Sequence, residues 1–257
     1  MSRMLSRPVG EPGHPSYHGR VIPSLSPAAG AVPSTRAVAD GLRVGVLAVQ
    51  GDVREHATIL DEFGADVVLV RRPREIDGLD GLVIPGGEST TMDKLTRAFD
   101  LADPLRAAIT GGLPVCGSCA GMIMLADRVA DPARDRQGDP QQTLGGIDMT
   151  VRRNAFGRQR ESFEVTLDFT DVGDVPAVFI RAPLAEQVGD GVEVLARTPS
   201  DAPPQHPTGP ADPEVRDTAG RIVAVRSGTL LATSFHPEVT GERRIHDLFI
   251  RIIRGEA

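Results

Sequence analysis

Four short apolar runs, residues 44–49, 67–70, 82–84 and 113–115, are each separated from the next by a stretch long enough for a helix. Runs that are apolar throughout are buried on both faces, the pattern of strands in a parallel sheet covered by helices on both sides. Later runs such as residues 164–169 alternate more and follow one another without helical lengths, which predicts an antiparallel addition. The expected fold is therefore α/β: three layers, an open and mostly parallel sheet, helices on both faces and an antiparallel extension. Open sheets of this kind bind ligands beyond the carboxyl ends of their strands, so the residues that follow each run are where chemistry is expected.

The fourth run leads into Gly117-Ser118-Cys119-Ala120-Gly121, and residues 122–126 lead out as the first turns of a helix. A cysteine with glycine two positions before and after it fits a nucleophile on a tight strand-to-helix turn, where strained backbone is tolerated only if the neighbours lack bulk. The positive end of the following helix favours thiolate over thiol. The same five residues also fit a buried structural cysteine, since free cysteine is among the most buried residue types.

A cysteine nucleophile needs a histidine base and a third group to orient it. Of the six histidines, His14, His18 and His206 lie in Pro-rich segments, His56 on an expected helix and His246 in the last amphipathic helix, which leaves His236. It stands in Thr233-Ser234-Phe235-His236-Pro237-Glu238 after the strand-like run 228–232. A residue before proline is biased to extended geometry, and extended residues two apart face one way, so Glu238 is expected to orient the His236 ring. A surface histidine with an incidental acid is the alternative. A third element, Pro85-Gly86-Gly87-Glu88-Ser89-Thr90-Thr91, follows the run 81–84. Its glycines let backbone N–H groups approach a ligand, and the N–H groups of Gly87 and Ala120 are the candidate oxyanion donors. A Pro-Gly-Gly turn by itself is more often only a turn.

These elements occur with further blocks: Val44 through His56, Arg153-Asn154-Ala155-Phe156-Gly157-Arg158-Gln159 with Ser162-Phe163-Glu164, and Phe179-Ile180-Arg181-Ala182-Pro183. In this order, over residues 42–255, the combination resembles class I (triad-type) glutamine amidotransferases, and most closely the PdxT/SNO family of glutaminase subunits of pyridoxal 5'-phosphate synthase. The resemblance implies a flavodoxin-like fold and a glutaminase that releases ammonia for a separate synthase subunit. It implies Cys119 as nucleophile, His236 as base and Glu238 as orienter. Gly87, Glu88, Ser89, Arg153, Ile180 and Arg181 are implied to bind glutamine. The partner implied is a barrel-shaped pyridoxal 5'-phosphate synthase subunit of the PdxS/SNZ type. No cofactor or metal is expected, since pyridoxal phosphate is the product of the complex. The alternatives are a class I amidotransferase of another pathway, a peptidase-like or glyoxalase-like cysteine enzyme, and a catalytically silent regulatory subunit. The Arg-Asn-x-Phe-Gly and Phe-Ile-Arg-Ala-Pro blocks together argue against the other enzymes, and the complete triad against the silent subunit.

Composition fits this expectation. The chain of 257 residues has length for one ordinary domain plus extra segments. A net charge of -7, no Trp and one Tyr disfavour nucleic acid as a partner. The two cysteines, Cys116 and Cys119, form C-x-x-C, but a redox motif leaves Gly117 and Gly121 unexplained and Cys116 falls within the expected strand. So few cysteines exclude a disulfide scaffold and suit the cytoplasm. No run has the length of a transmembrane helix, so a soluble chain without membrane association is expected. Residues 1–40 hold six prolines and four arginines, with little apolar periodicity, and are expected to be a disordered extension preceding the glutaminase domain at 41–257. A second Pro-rich stretch near 199–218 reads as an exposed loop insertion, and residues 131–142 as a surface loop. The spacing of Ile245, Leu248, Phe249, Ile252 and Ile253 predicts a packed helix over 242–253.

Overall fold

The computed structural model describes residues 38–155, 163–199 and 220–257. Most of the expected N-terminal extension, the Pro-rich insertion and residues 156–162 of the Arg-Asn block lie outside the described residues. Strands β1 (Arg43–Leu47), β2 (Asp66–Val70), β3 (Gly81–Ile84), β4 (Val115–Ser118) and β12 (Leu230–Thr233) are parallel, in the order β2-β1-β3-β4-β12. The sheet continues antiparallel through β11 (Ile222–Ser227), β10 (Glu193–Arg197), β7 (Phe163–Phe169) and β8 (Gly173–Phe179). Off this path β5 (Ala126–Val129) pairs with β6 (Ile147–Arg152), which pairs in turn with β9 (Leu184–Val188).

Alternate residues of the central strands enter two separate cores. Val44, Val46, Val83, Cys116 and Leu231 pack on one face against Ile59 and Leu60 of helix α1 (Val53–Glu62) and Ile245, Leu248 and Phe249 of helix α6 (Arg244–Arg254). Leu47, Leu82, Ile84, Val115, Leu230 and Ala232 pack on the other. There they meet helices α2 (Ser89–Ala98), α3 (Ala102–Thr110) and α4 (Ala120–Leu125). With both faces covered, the strands must be apolar on both, which is why they read as continuous runs.

Several boundaries differ from the sequence expectation. The fourth strand is Val115–Ser118 and not 113–115, because pairing with β3 and β12 carries it through Gly117 and Ser118, residues of low strand propensity. Strand β8 is not evident from the sequence because it contains Pro176; it lies at the end of the strand order, where a missing N–H is tolerated. The last helix starts at Arg244; Ile245, Leu248, Phe249 and Ile252 are buried as expected, while Ile253 is partly buried against the same core. Residues 131–142 form a loop, bridged once between Arg134 and Pro140.

Candidate active site

The carboxyl ends of four adjacent parallel strands carry the site. The β1 end leads to Gln50-Gly51-Asp52, β3 to Gly86-Gly87-Glu88, β4 to Cys119 and β12 to His236. In register, Gly117 lies between Ile84 and Ala232, and Ser118 beside Thr233, so the three motif-bearing turns emerge side by side.

Cys119 links β4 to α4 with φ 49° and ψ -100°, a left-handed value that costs a non-glycine residue strain. Its N–H donates to the Thr233 carbonyl at 2.8 Å, which ties the turn to β12. The flanking glycines are sterically required. A Cβ on Gly121 would lie 2.2 Å from the Ile84 carbonyl oxygen, and one on Gly117 would lie 2.6 Å from the Gly121 backbone. Helix α4 thus packs its first turn directly on the strands. Cys116 has the opposite setting: it is buried in the α1/α6 core, and burial, assisted by the Glu238 charge, pushes its thiol up to about 12.

His236 is reached by a local route different from the extended one expected. It caps a short helix, α5 (Pro237–Thr240), with Pro237 at the first helical position, where the fixed proline φ is as acceptable as in extended chain. Glu238 then lies in the first turn, and its Oε1 is 2.8 Å from His236 Nδ1. Asp52 Oδ2 approaches the same nitrogen at 3.4 Å. Burial opposes charge on the His236 ring, but hydrogen bonds with Asp52, Cys119 and Glu238 outweigh it and its pKa is pushed up to about 12. The ring is thus arranged to hold a proton next to sulfur.

The Pro-Gly-Gly turn fits around these groups. Gly87 has φ 150°, and a Cβ there would meet Gln50 Oε1 at 2.5 Å; the same oxygen accepts the Glu88 N–H at 2.8 Å. A Cβ on Gly86 would lie 2.3 Å from His236 Cε1. The Asp52 N–H donates to the Gly86 carbonyl at 3.1 Å, orienting the peptide whose N–H belongs to Gly87. Glu88 caps α2, accepting from the Thr91 N–H at 2.8 Å and from the Thr90 hydroxyl. Burial raises its pKa, but the hydrogen bonds from Thr90 and Thr91 prevail and hold the carboxyl below the usual range.

A cavity of about 360 Å³ lies against the sulfur, within the size range of small-molecule sites. Gly87, Glu88, Ser89, Cys119, Ala120, Arg153, Ile180, Arg181 and His236 line it, which gathers every residue singled out in the sequence except Glu238, buried behind His236. Arg153 Nη2 is 3.5 Å from Glu88 Oε1, and Asn154 and Arg181, each with φ 47°, join Cys119 as left-handed non-glycine residues at the cavity. The sequence reading assigned no role to Gln50, Asp52, Ile123, Asn154 and Val239, which also line the cavity. Gln50 and Asp52 belong to the first motif block, and their adjacency to the site is a consequence of strand order. His56 and His246, set aside as helix residues, lie buried beside Glu238 and Ser118: His56 Nε2 is 3.0 Å from Ser118 Oγ, and His56 Nδ1 is 2.9 Å from His246 Nε2. Asp52, His236 and Glu238 bring ligand atoms within 4.8 Å of one another, spacing a cation can use. Both carboxylates, however, are directed at the one nitrogen that the Glu238 hydrogen bond occupies, an arrangement suited to a protonated ring.

An elbow cysteine, a carboxylate-held histidine and an arginine-lined cavity form the constellation of a triad amidase. The family model described as the SNO glutamine amidotransferase family matches residues 46–254. The chain belongs to this family. Among its relatives, the pyridoxal 5'-phosphate synthase subunit PdxT of Pseudarthrobacter chlorophenolicus is 65% identical over 229 residues, covering 86% of this chain and 95% of the relative. The subunit of the same name from Rhodococcus opacus is 58% identical over 214 residues, covering 82% and 97%. A crystal structure of a glutamine amidotransferase is 40% identical, covers 82% of this chain and 98% of that one, and superposes with a TM-score of 0.67. Among the described residues no helix is long and apolar enough to cross a membrane.

Proposed function

We propose that this member of the SNO glutamine amidotransferase family hydrolyses L-glutamine to L-glutamate and ammonia. The ammonia serves the barrel subunit, PdxS/SNZ type, of a cytoplasmic pyridoxal 5'-phosphate synthase. The observation that carries the reading is one cavity bounded by Cys119, His236 and two arginines, Arg153 and Arg181. A guanidinium fork suits the α-carboxylate of glutamine and stays charged at any relevant pH. The carboxylates of Glu88 and Asp52, which also line the cavity, suit its ammonium group, and Ser89 and Ile180 are the remaining lining residues assigned to the substrate.

The Cys119 sulfur, its proton already held by His236, attacks the side-chain amide carbon. The C=O electron pair moves to oxygen, where the N–H groups of Gly87 and Ala120 receive the developing charge; losing one such donor typically costs ~100-fold or more in rate. Collapse re-forms C=O and breaks C–N, with the proton on His236 going to the departing nitrogen, which leaves as ammonia. Neutral His236 then takes a proton from water, whose oxygen attacks the thioester; sulfur departs, His236 keeps the proton, and glutamate is released. Glu238 keeps the ring in the required orientation throughout. The names of the relatives support the synthase assignment. The test is glutamate release by the chain with and without its synthase. It is expected to disappear in Cys119→Ala, and full activity of that variant or untouched glutamine in the complex refutes the reading.

A further inference from the structure

Outside the cavity wall, a buried histidine approaches the carboxylate of Glu238, and two further buried polar side chains, His246 and Ser118, meet that histidine. Glu238 uses Oε1 for His236, but its Oε2 is fully buried and has no hydrogen bond of ordinary geometry. A buried carboxylate oxygen without a donor costs much more than one satisfied by a neighbour. A ring nitrogen able to donate, His56 Nε2, lies 3.4 Å from it. His56 comes from α1, at 1% exposure, and is linked through Nδ1 to His246 of α6 at 2.9 Å, itself 2% exposed.

We propose, building on the glutaminase reading, that His56 is a positioning residue whose Nε2–H is directed at Glu238 Oε2, and that His246 fixes the tautomer this requires. Each neutral imidazole carries one N–H. If His56 donates from Nε2, its Nδ1 must accept, so His246 must hold its hydrogen on Nε2, the atom that faces Nδ1. The two rings then form one chain of donors ending on the carboxylate, with the Ser118 hydroxyl sharing the His56 N–H.

The charged and titratable neighbours agree with neutral rings. His56 faces His246 from α6, His236 and Glu238 from the segment after β12, and Ser118 from β4, with Cys116 close enough to feel the Glu238 charge. Burial first, then the neighbouring His246 and His236, hold His56 well below its ordinary value. Burial also lowers His246, to about 4, against a hydrogen bond with the Glu242 backbone and the Glu242 charge, both of which favour the charged ring. With both carboxylate oxygens held, Glu238 keeps its plane and His236 keeps the hydrogen bond that raises its pKa. With Oε2 released, the carboxylate can turn and His236 loses that support.

The experiment compares His56→Leu, which removes the N–H, with His56→Gln, which retains a side-chain N–H, in the chain assembled with its synthase. In His56→Leu, kcat is expected to fall about tenfold to a hundredfold, the scale of a small misplacement of a reacting group. The KM for glutamine should stay within about twofold, because His56 does not line the cavity. The alkaline limb of the pH profile should move to lower pH, and His56→Gln should recover most of kcat. A folded His56→Leu with wild-type kcat, or with a reduced kcat but an unmoved pH profile, overturns the proposal. Should His56→Leu fail to fold, His246→Phe, which takes away only the donor to Nδ1, is judged by the same readouts. NMR titration of His236 in the isolated chain, expected to show its pKa lowered in the variants, keeps the tests separate. If the wild-type complex releases no glutamate, the glutaminase reading fails; if His236 titrates identically in wild type and variants, the positioning role fails.

Discussion

Gly86→Ala is the substitution that most directly tests whether the position of His236 controls the chemistry. Gly86 has no left-handed φ, so alanine adds a methyl group without backbone strain of its own. That methyl would lie 2.3 Å from His236 Cε1, 2.7 Å from Nδ1 and 2.9 Å from Asp52 Oδ2. Ordinary contact begins near 3.4 Å, so either the ring or the loop must retreat by about 1 Å. The ring cannot retreat freely, because Nδ1 is held by Glu238 at 2.8 Å and the side chain is 7% exposed. A displacement of that size in a catalytic group costs about 100-fold in rate, or about 2.7 kcal/mol of transition-state stabilisation. Glutamate release in the assembled synthase should therefore show a kcat lower by about two orders of magnitude. The KM should change little, because Arg153 and Arg181 are untouched, and the circular dichroism spectrum should be preserved. Gly191→Ala is the control: a Cβ there meets nothing within 4 Å, and its activity should equal wild type. A folded Gly86→Ala with kcat within about twofold of wild type would show that the site tolerates a displaced ring, and the geometric reasoning would fail.

Cys116→Ala should leave glutaminase activity within about twofold of wild type while Cys119→Ala abolishes it, since the Cys116 thiol is pushed up to about 12 in the core; equal losses would undo the distinction, and alkylation followed by peptide mapping should mark Cys119 alone. The buried His246 makes stability fall in mild acid. Its folded pKa of about 4 lies below the ordinary 6.5, so the unfolded chain takes up a proton first, and stability is fully present above about pH 6.5 and lost as pH falls towards 4. Between pH 7 and pH 5 the contribution is about 2 kcal/mol, readable by urea denaturation, and His246→Phe should flatten the decline; an unchanged slope would contradict it. Phe249→Ala should cost about 3–5 kcal/mol, because the ring is fully buried between α6 and the sheet and packs at Gly81, and a melting temperature within a degree or two of wild type would refute that packing.

The main architecture was legible in the sequence because burial on both faces writes itself into composition: residues 44–49 and 82–84 had to be apolar throughout. The elbow was legible because its glycines answer a local steric demand, visible in the contact that Gly121 makes with Ile84. What local pattern could not deliver was anything that depends on strand order. Asp52 and Gln50 reach the cavity because β1 is the neighbour of β3, a relation between segments more than 30 residues apart. Strand β8 was hidden because Pro176 argues against a strand unless the strand is known to be at an edge.

The sequence by itself pointed to Cys119 on its elbow, the histidine after β12, the acid two residues on, and the class of sheet that supports them, because each reading rests on spacing, glycine sterics and apolar periodicity within a short window. The tertiary structure decided the rest. It made His236-Pro237-Glu238 the start of a short helix in place of extended chain, and it divided two cysteines three residues apart between a core and a cavity. It also brought His56 and His246, 190 residues apart, to 2.9 Å beside the buried Glu238. Those outcomes depend on which surfaces meet, and a chain specifies that only through the packing of all its elements together.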